Sequence, residues 1–129
     1  PQAVIDEVRA RLHFSQDVPV VALSALRGDG FGPFLDLLDL LAEESSREFA
    51  TSALNAALEE AVRQRSPSGR HKLPRLYYIT QTGIYPPSFL VFTNGASIDA
   101  HYRRFLGRRL RQSLGLQWSP VALRFRQRP

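Results

Sequence analysis

The order of helical and strand-like apolar patterns along this 129-residue chain limits its possible folds more than any other feature. Apolar residues at helical spacing predict a helix over residues 2–13, and a β-branched apolar run predicts a buried strand over 18–23. A wide apolar stripe then predicts a second helix from residue 31 to about 48. This α-β-α order is typical of the end of a parallel-sheet α/β domain, although the segment is too short to form such a domain alone.

A second series of patterns begins at Thr51, which is a favourable N-cap for a helix over residues 52–65. The stretch SPSGRHKLP then predicts a loop, because it combines serine and glycine with two prolines. Alternation and a richness in Tyr, Ile and Thr predict a strand over 76–82. After the turn or short loop GIYPP, a second strand is predicted over 88–93, which Asn94-Gly95 ends. The apolar residues of the helix share one face, which we expect to pack on the sheet: Leu54, Leu58 and Val62.

The remaining patterns complete this second unit. Asp99 can cap a helix over residues 100–114, which Gly115 ends. Alternation predicts a last strand over 121–126. Residues from 51 onward therefore predict an α-β-β-α-β domain with a three-stranded sheet, in a chain of mixed α/β (α+β) class.

The balance of charge changes at the same place in the chain. Residues 1–50 carry a net charge of −5, whereas residues 51–129 carry twelve arginines and Lys72 against three acidic residues, a net of +10. Such an excess attracts phosphate backbones. The absence of cysteine excludes thiolate metal sites and fits a cytosolic protein, and the apolar runs are too short to span a bilayer. The chain begins at Pro1 without any methionine, so we expect it to be a piece of a longer protein.

Five stretches of the chain resemble, in order and spacing, the tandem GTPases of the Der (EngA) family, which have two GTPase domains followed by a KH-like domain. The stretches are PVVALSALRGDGF, TSALNAALEEAV, YYITQTGIYPPSFLVFTN, YRRFLGRRLRQSLGL and VALRFRQR. The resemblance covers nearly the whole chain. It implies that residues 1–48 are the α-β-α end of the second P-loop GTPase domain and that residues 51–129 are the KH-like domain.

The same resemblance implies a function and partners. The parent protein would be a GTPase that binds GTP or GDP with Mg²⁺ and acts in maturation of the large ribosomal subunit. This part of the parent would bind ribosomal RNA of that subunit and dock on the GTPase domains of the same parent. It would do so in the cytoplasm, without a membrane partner. Ser24, Ala25 and Leu26 match the loop that surrounds the guanine base in such GTPases. An ordinary strand-to-helix connection would also account for these three residues.

The motifs that carry GTP chemistry are not in the sequence. It has no glycine-rich phosphate loop, no switch segments and no Asn-Lys-x-Asp motif. We therefore expect no catalytic residue, cofactor or metal site in this chain, and an idle guanine loop. The three histidines lie in different predicted elements, without the spacing of metal ligands: His13, His71 and His101.

Arginines line one side of the predicted helix over residues 100–114. Arg104, Arg108 and Arg111, which we call the basic helix face, lie within about 60° of each other. From residue 100 onward the chain has eight arginines and no acidic residue. We predict that these three side chains bind RNA phosphates; a solvated charged face and docking to an acidic protein surface are the alternatives. Arg109 falls within the apolar side, where it could be paired inside the domain or at an interface.

Arginines also alternate with apolar residues on the last predicted strand. We predict that Arg124 and Arg126 extend the RNA-binding patch, with an edge strand guarded by charge as an equal alternative. The chain lacks the Gly-x-x-Gly loop by which KH domains usually hold nucleotides, which favours recognition of the shape or backbone of structured RNA. The predicted function is RNA and ribosome binding together with docking to the GTPase domains. The alternatives are a basic module that docks on a GTPase domain without RNA contact, and a stand-alone RNA-binding protein.

Overall fold

The computed structural model of the chain describes residues 2–12 and 18–129. The elements in this part are α1 (Gln2–Arg11), α2 (Phe31–Ser45), α3 (Thr51–Gln64), β1 (Leu76–Gly83), β2 (Ser88–Thr93), α4 (Ala100–Ser113) and β3 (Ala122–Gln127). The predicted mixed α/β class with a three-stranded sheet is confirmed. From residue 51 onward the observed bounds differ from the predicted ones by one residue at most. His13, the last residue of the first predicted helix, lies outside the described residues.

The sheet has the strand order β1-β2-β3. Strands β1 and β2 form an antiparallel pair in which Ile79 lies opposite Val91, and β2 and β3 form a parallel pair in which Val91 lies opposite Phe125. A parallel pair needs a long crossover connection, and α4 lies within that connection. The alternation of strand side chains therefore gives the sheet one face toward the helices and one face away from them.

The hydrophobic core lies between the sheet and the helices α3 and α4. Its fully buried members come from both layers: Leu54, Leu58, Ile79, Phe89, Val91, Leu106 and Leu110. Asn55 positions α3 against β1, because it accepts a hydrogen bond from the Ile79 N–H at 3.0 Å and donates one to the Ile79 carbonyl at 3.2 Å. This side chain satisfies backbone groups of an edge strand, on the side where no further strand of the described residues pairs with it.

The prediction of a buried strand over residues 18–23 is wrong. These residues form no strand, and Val18 and Leu23 are 57% and 45% exposed. A strand exists only through pairing with a neighbour, and the three strands in residues 18–129 pair only with one another. An apolar β-branched run therefore stays irregular here, although its composition is that of a strand.

The prediction that Thr51 is the N-cap of α3 is also wrong, by one residue. The helix begins at Thr51, and the N-cap position belongs to Ala50, whose backbone is extended and whose side chain makes no cap hydrogen bond. The Ala50 carbonyl accepts the first helical hydrogen bond, from the Leu54 N–H at 3.1 Å, so Thr51 already has helical geometry. In the described part of the chain, no helix is both long and apolar enough to cross a membrane.

Candidate nucleic-acid interface

Helix α4 is positioned by its cap and by its apolar side. The Asp99 carboxylate accepts a hydrogen bond from the His101 N–H at 2.8 Å, as the sequence predicts for an N-cap. Gly115 just beyond the helix has a φ of 70°, a conformation that favours glycine. Tyr102, Leu106 and Leu110 are buried, so the opposite side of α4 must face solvent.

Arg104 and Arg108 lie on this solvent side. Both side chains are exposed, and one Arg104 guanidinium nitrogen lies 3.0 Å from His101 Nδ1. The ion pairs among the described residues join Arg11 with Glu7, Arg47 with Glu43, and Arg63 with Glu60. Neither Arg104 nor Arg108 takes part in them, so their charges are not neutralised by a carboxylate in the described part of the chain.

Arg111, the third residue of the basic helix face, has a different environment. Its Nε donates to the Ser119 carbonyl at 3.0 Å and its Nη2 donates to the Gln117 carbonyl at 3.1 Å. The side chain is half-buried. Arg111 therefore holds the segment of residues 115–120, which we call the α4–β3 loop, whereas Arg104 and Arg108 project into solvent.

Glu44 holds the same loop from the other side, and sequence reasoning missed it. It is only 4% exposed, and its carboxylate accepts hydrogen bonds from the backbone N–H groups of Gln117, Trp118 and Ser119 at 2.6, 2.7 and 2.9 Å. Burial raises the pKa of Glu44, but the three N–H donors and the nearby Arg47 outweigh burial and hold that pKa below its ordinary value. The signal in the sequence was an acidic residue in register with the apolar stripe of α2.

Further contacts join the end of α2 to residues of the second unit. The Arg47 guanidinium donates to the Gly115 carbonyl at 3.1 Å, and the Tyr85 N–H donates to the Ser45 carbonyl at 2.8 Å. The hydroxyls of Ser45 and Ser119 lie 3.2 Å apart. The end of α2 is thus attached to the α4–β3 loop by polar contacts.

Arg109 is half-buried, as its place on the apolar side of α4 suggests. Its Nη1 donates to Gln112 Oε1 at 2.8 Å. Its buried Nε has no hydrogen-bond partner among the described residues. Arg109 therefore makes one contact within its own helix and does not belong to the solvent side.

Arg124 and Arg126 are exposed on β3, on the face of the sheet opposite Leu123 and Phe125. Because β3 is an edge strand, the alternative of a charge-guarded edge stays open. The core lies between this face and the solvent side of α4, so the two pairs of arginines point in opposite directions. The predicted continuous patch is therefore divided into two surfaces, because each pair points outward from a different layer.

The loop that contains Ser24, Ala25 and Leu26 is a tight turn. Its hydrogen bonds join the Gly28 N–H to the Ser24 carbonyl at 2.8 Å and the Arg27 N–H to the Ser24 hydroxyl at 3.2 Å. Gly30 has a φ of 84°, and a Cβ there would collide with the Ala22 carbonyl oxygen. Leu26 is 96% exposed. The turn thus exposes Ala25 and Leu26 and leaves Ser24 half-buried, and their assignment to a guanine loop stays a prediction.

Comparison with known proteins gives a consistent set of relatives. A family model described as "KH-domain-like of EngA bacterial GTPase enzymes, C-terminal" matches residues 49–126. The chain is 39% identical over 127 residues to GTPase Der of Gloeobacter violaceus, covering 96% of this chain and 28% of that protein. It is 36% identical over 125 residues to GTPase Der of Syntrophotalea carbinolica, covering 95% of this chain and 28% of that protein. The chain thus spans little more than a quarter of the length of these curated relatives.

Proposed function

The chain belongs to the family of KH-domain-like C-terminal domains of EngA bacterial GTPases, and from this premise we propose that it binds RNA of the large ribosomal subunit. The observation that carries this proposal is the solvent side of α4, where Arg104 and Arg108 are exposed without a carboxylate partner among the described residues. Unneutralised guanidinium groups attract phosphates and release counterions when they bind them. The parent would act in large-subunit maturation, in the cytoplasm.

The proposed mode of binding is recognition of the RNA backbone. Phosphate contacts position a protein on RNA without reading its sequence. The sequence has no Gly-x-x-Gly loop, by which KH domains usually grip single-stranded nucleotides. A pair of exposed arginines on the outside of a helix fits the backbone of a folded RNA, which is accessible even where the bases are paired.

The proposal gives residues 1–48 a separate role as the end of a GTPase domain. Glu44 and Arg47 attach this segment to the α4–β3 loop, so a movement of the GTPase domain would be passed directly to the RNA-binding unit. The GTP or GDP site with its Mg²⁺ would belong to the rest of the parent, and Ser24, Ala25 and Leu26 would be idle without it. The chain itself would not be an enzyme.

The alternative function is docking of the same arginines on an acidic surface of a GTPase domain, without RNA contact. The test is the double variant Arg104→Gln/Arg108→Gln, measured for binding to a blunt RNA duplex of about 16 base pairs over a salt series. We expect weaker binding and a log–log salt slope that is smaller by about 1.4 to 1.8 units, since two phosphate contacts are lost. Arg111 stays unchanged, because two of its donors serve protein carbonyls.

A matched control removes the same charge from another surface. The double variant Arg11→Gln/Arg63→Gln also removes two arginines, each of which is exposed and already paired with a carboxylate. We expect its salt slope to equal that of the wild type. If the Arg104/Arg108 variant is folded by circular dichroism and its slope is unchanged, RNA binding by this face is contradicted and protein docking is favoured.

A further inference from the structure

The face of the sheet that points away from α3 and α4, which we call the outer sheet face, carries two rows of side chains across the three strands. The rows are Tyr78, Phe92 and Arg126, and Thr80, Leu90 and Arg124. Neighbouring strands lie about 4.8 Å apart, so each row extends over roughly 10 Å. Apolar and aromatic groups therefore lie at the centre of the face and arginines at its β3 edge.

Two aromatic rings are stacked on this face. The Tyr78 and Phe92 ring centroids are 4.5 Å apart and the ring planes differ by 24°. The Tyr78 side chain is 40% exposed and Phe92 is half-buried. The core of the domain is on the other side of the sheet, so these rings do not contribute to it. Each ring covers one face of the other, so the outer face of the pair remains for another planar group.

The charge of the outer sheet face is entirely positive. Its polar members besides the arginines are uncharged, and Arg124 and Arg126 are exposed and form no ion pair with a carboxylate of the described residues. Arg126 lies opposite Phe92 in the strand register, and Arg124 lies opposite Leu90. An arginine thus lies beside Phe92 and another beside Leu90. This arrangement complements a ligand in which planar groups alternate with phosphates.

We propose that the outer sheet face binds single-stranded RNA, with bases stacked on Tyr78 and Phe92 and neighbouring phosphates held by Arg124 and Arg126. This proposal rests on the proposed function of RNA binding, and it adds a second surface with a different specificity. The π-faces of bases are accessible in a single strand and are covered in a duplex. The outer sheet face therefore prefers unpaired RNA, whereas the backbone contacts of Arg104 and Arg108 tolerate paired RNA.

The test compares two probes with the 129-residue chain: an oligouridylate of about ten nucleotides and a blunt RNA duplex of about 16 base pairs. The variant Tyr78→Leu/Phe92→Leu keeps apolar side chains on the sheet but removes both rings. We expect it to bind the oligouridylate at least about tenfold more weakly, because base stacking on aromatic side chains is lost. Binding to the duplex should change less than about twofold, because the phosphate contacts remain.

The neighbouring residue offers a matched control. Tyr77 is 37% exposed, close to the 40% of Tyr78, but the Arg128 guanidinium lies over its ring at 3.8 Å and the residue lines a cleft with Val62 of α3. Tyr77→Leu should leave oligouridylate binding unchanged. Tyr78→Phe keeps the ring and should retain the affinity of the wild type. Should the double variant unfold, Tyr78→Leu alone, at an exposed position, should still weaken oligouridylate binding several-fold.

The outcomes separate this proposal from the proposed function. If the wild type binds both probes and the ring-less variants bind the oligouridylate as tightly as the wild type, the stacking proposal is overturned and backbone binding stands. Equal losses for Tyr77→Leu and Tyr78→Leu would overturn it as well. If the wild type binds neither probe, both proposals fail.

Discussion

Helices α2 and α4 differ in a way that their composition does not suggest. Helix α2 is rich in leucine, yet Leu35 and Leu38 are 56% and 44% exposed and its buried residue is Glu44. Helix α4 carries five arginines, yet Leu106 and Leu110 are completely buried. The more apolar helix is thus the less buried of the two.

The difference shows that a partner surface, and not apolar content, decides burial. Helix α4 packs on α3 and on β3, which together cover its apolar side. Helix α2 is attached through polar contacts at its C-terminal end, and no described helix or strand packs on it, so most of its leucines are exposed. The exposed stripe of α2 supports the proposal that residues 1–48 belong to a GTPase domain, whose remaining elements would cover it.

The largest expected effect comes from a leucine-to-alanine substitution in the core, compared with the same substitution in α2. Leu58→Ala removes a side chain of α3 that is 2% exposed, and it should lower the free energy of unfolding by about 2–5 kcal/mol, because it leaves a cavity in the core. Leu38→Ala in α2 should change it by no more than about 0.5 kcal/mol. Urea unfolding followed by circular dichroism measures both. Equal losses would show that α2 is packed as firmly as α3.

A smaller effect is expected from the polar attachment of α2. Glu44→Ala leaves the N–H groups of Gln117, Trp118 and Ser119 without their acceptor, and should lower the free energy of unfolding by about 1–3 kcal/mol. Asp39→Ala, on the exposed side of the same helix, is the matched control and should have little effect. The same urea titration checks both variants. An unchanged Glu44→Ala midpoint would mean that the α4–β3 loop does not depend on α2.

The smallest expected effect is a pH dependence that comes from Glu44. Its pKa is lowered in the folded state, so the unfolded state binds more protons between the two pKa values and stability falls as pH falls below about 4.5. Protonation weakens the acceptor without removing it, so the loss should be smaller than in Glu44→Ala. Melting temperatures of the wild type and Glu44→Gln, measured from pH 7 to pH 3, give the difference. The pKa of Glu43 is also lowered, but this residue is present in both proteins and its acid dependence cancels in the difference. Parallel curves of melting temperature against pH would contradict the role of Glu44.

The elements from residue 51 onward could be predicted because their signals are local. Helix α4 has apolar residues at helical spacing and a capping Asp99, and β2 is a short apolar run between the turn GIYPP and Asn94-Gly95. Only the structure shows that Phe89 and Val91 are on its buried face. Residues 18–23 show the limit of such signals, since their apolar pattern had no neighbouring strand to pair with. The division of the chain at residues 48–51 stays a prediction.

The candidate sites depended more on tertiary contacts. Nothing in the local pattern distinguishes Arg111 from Arg104 and Arg108, because all three share one side of the helix. Only the folded chain brings the Ser119 carbonyl to Arg111, and only the sheet register brings Phe92 next to both Tyr78 and Arg126.

Periodicity, caps and the change in charge near residue 50 thus set the order of the elements and the basic character of the second unit, because these properties depend on neighbours a few residues apart. The structure decided which arginines remain in solvent, which acidic residue is buried and which aromatic rings meet. These outcomes depend on residues far apart in sequence, such as Glu44 and Ser119, which are 75 positions apart and joined by a hydrogen bond. A buried carboxylate is stable there because backbone N–H groups replace the water it loses, and no local pattern encodes that replacement.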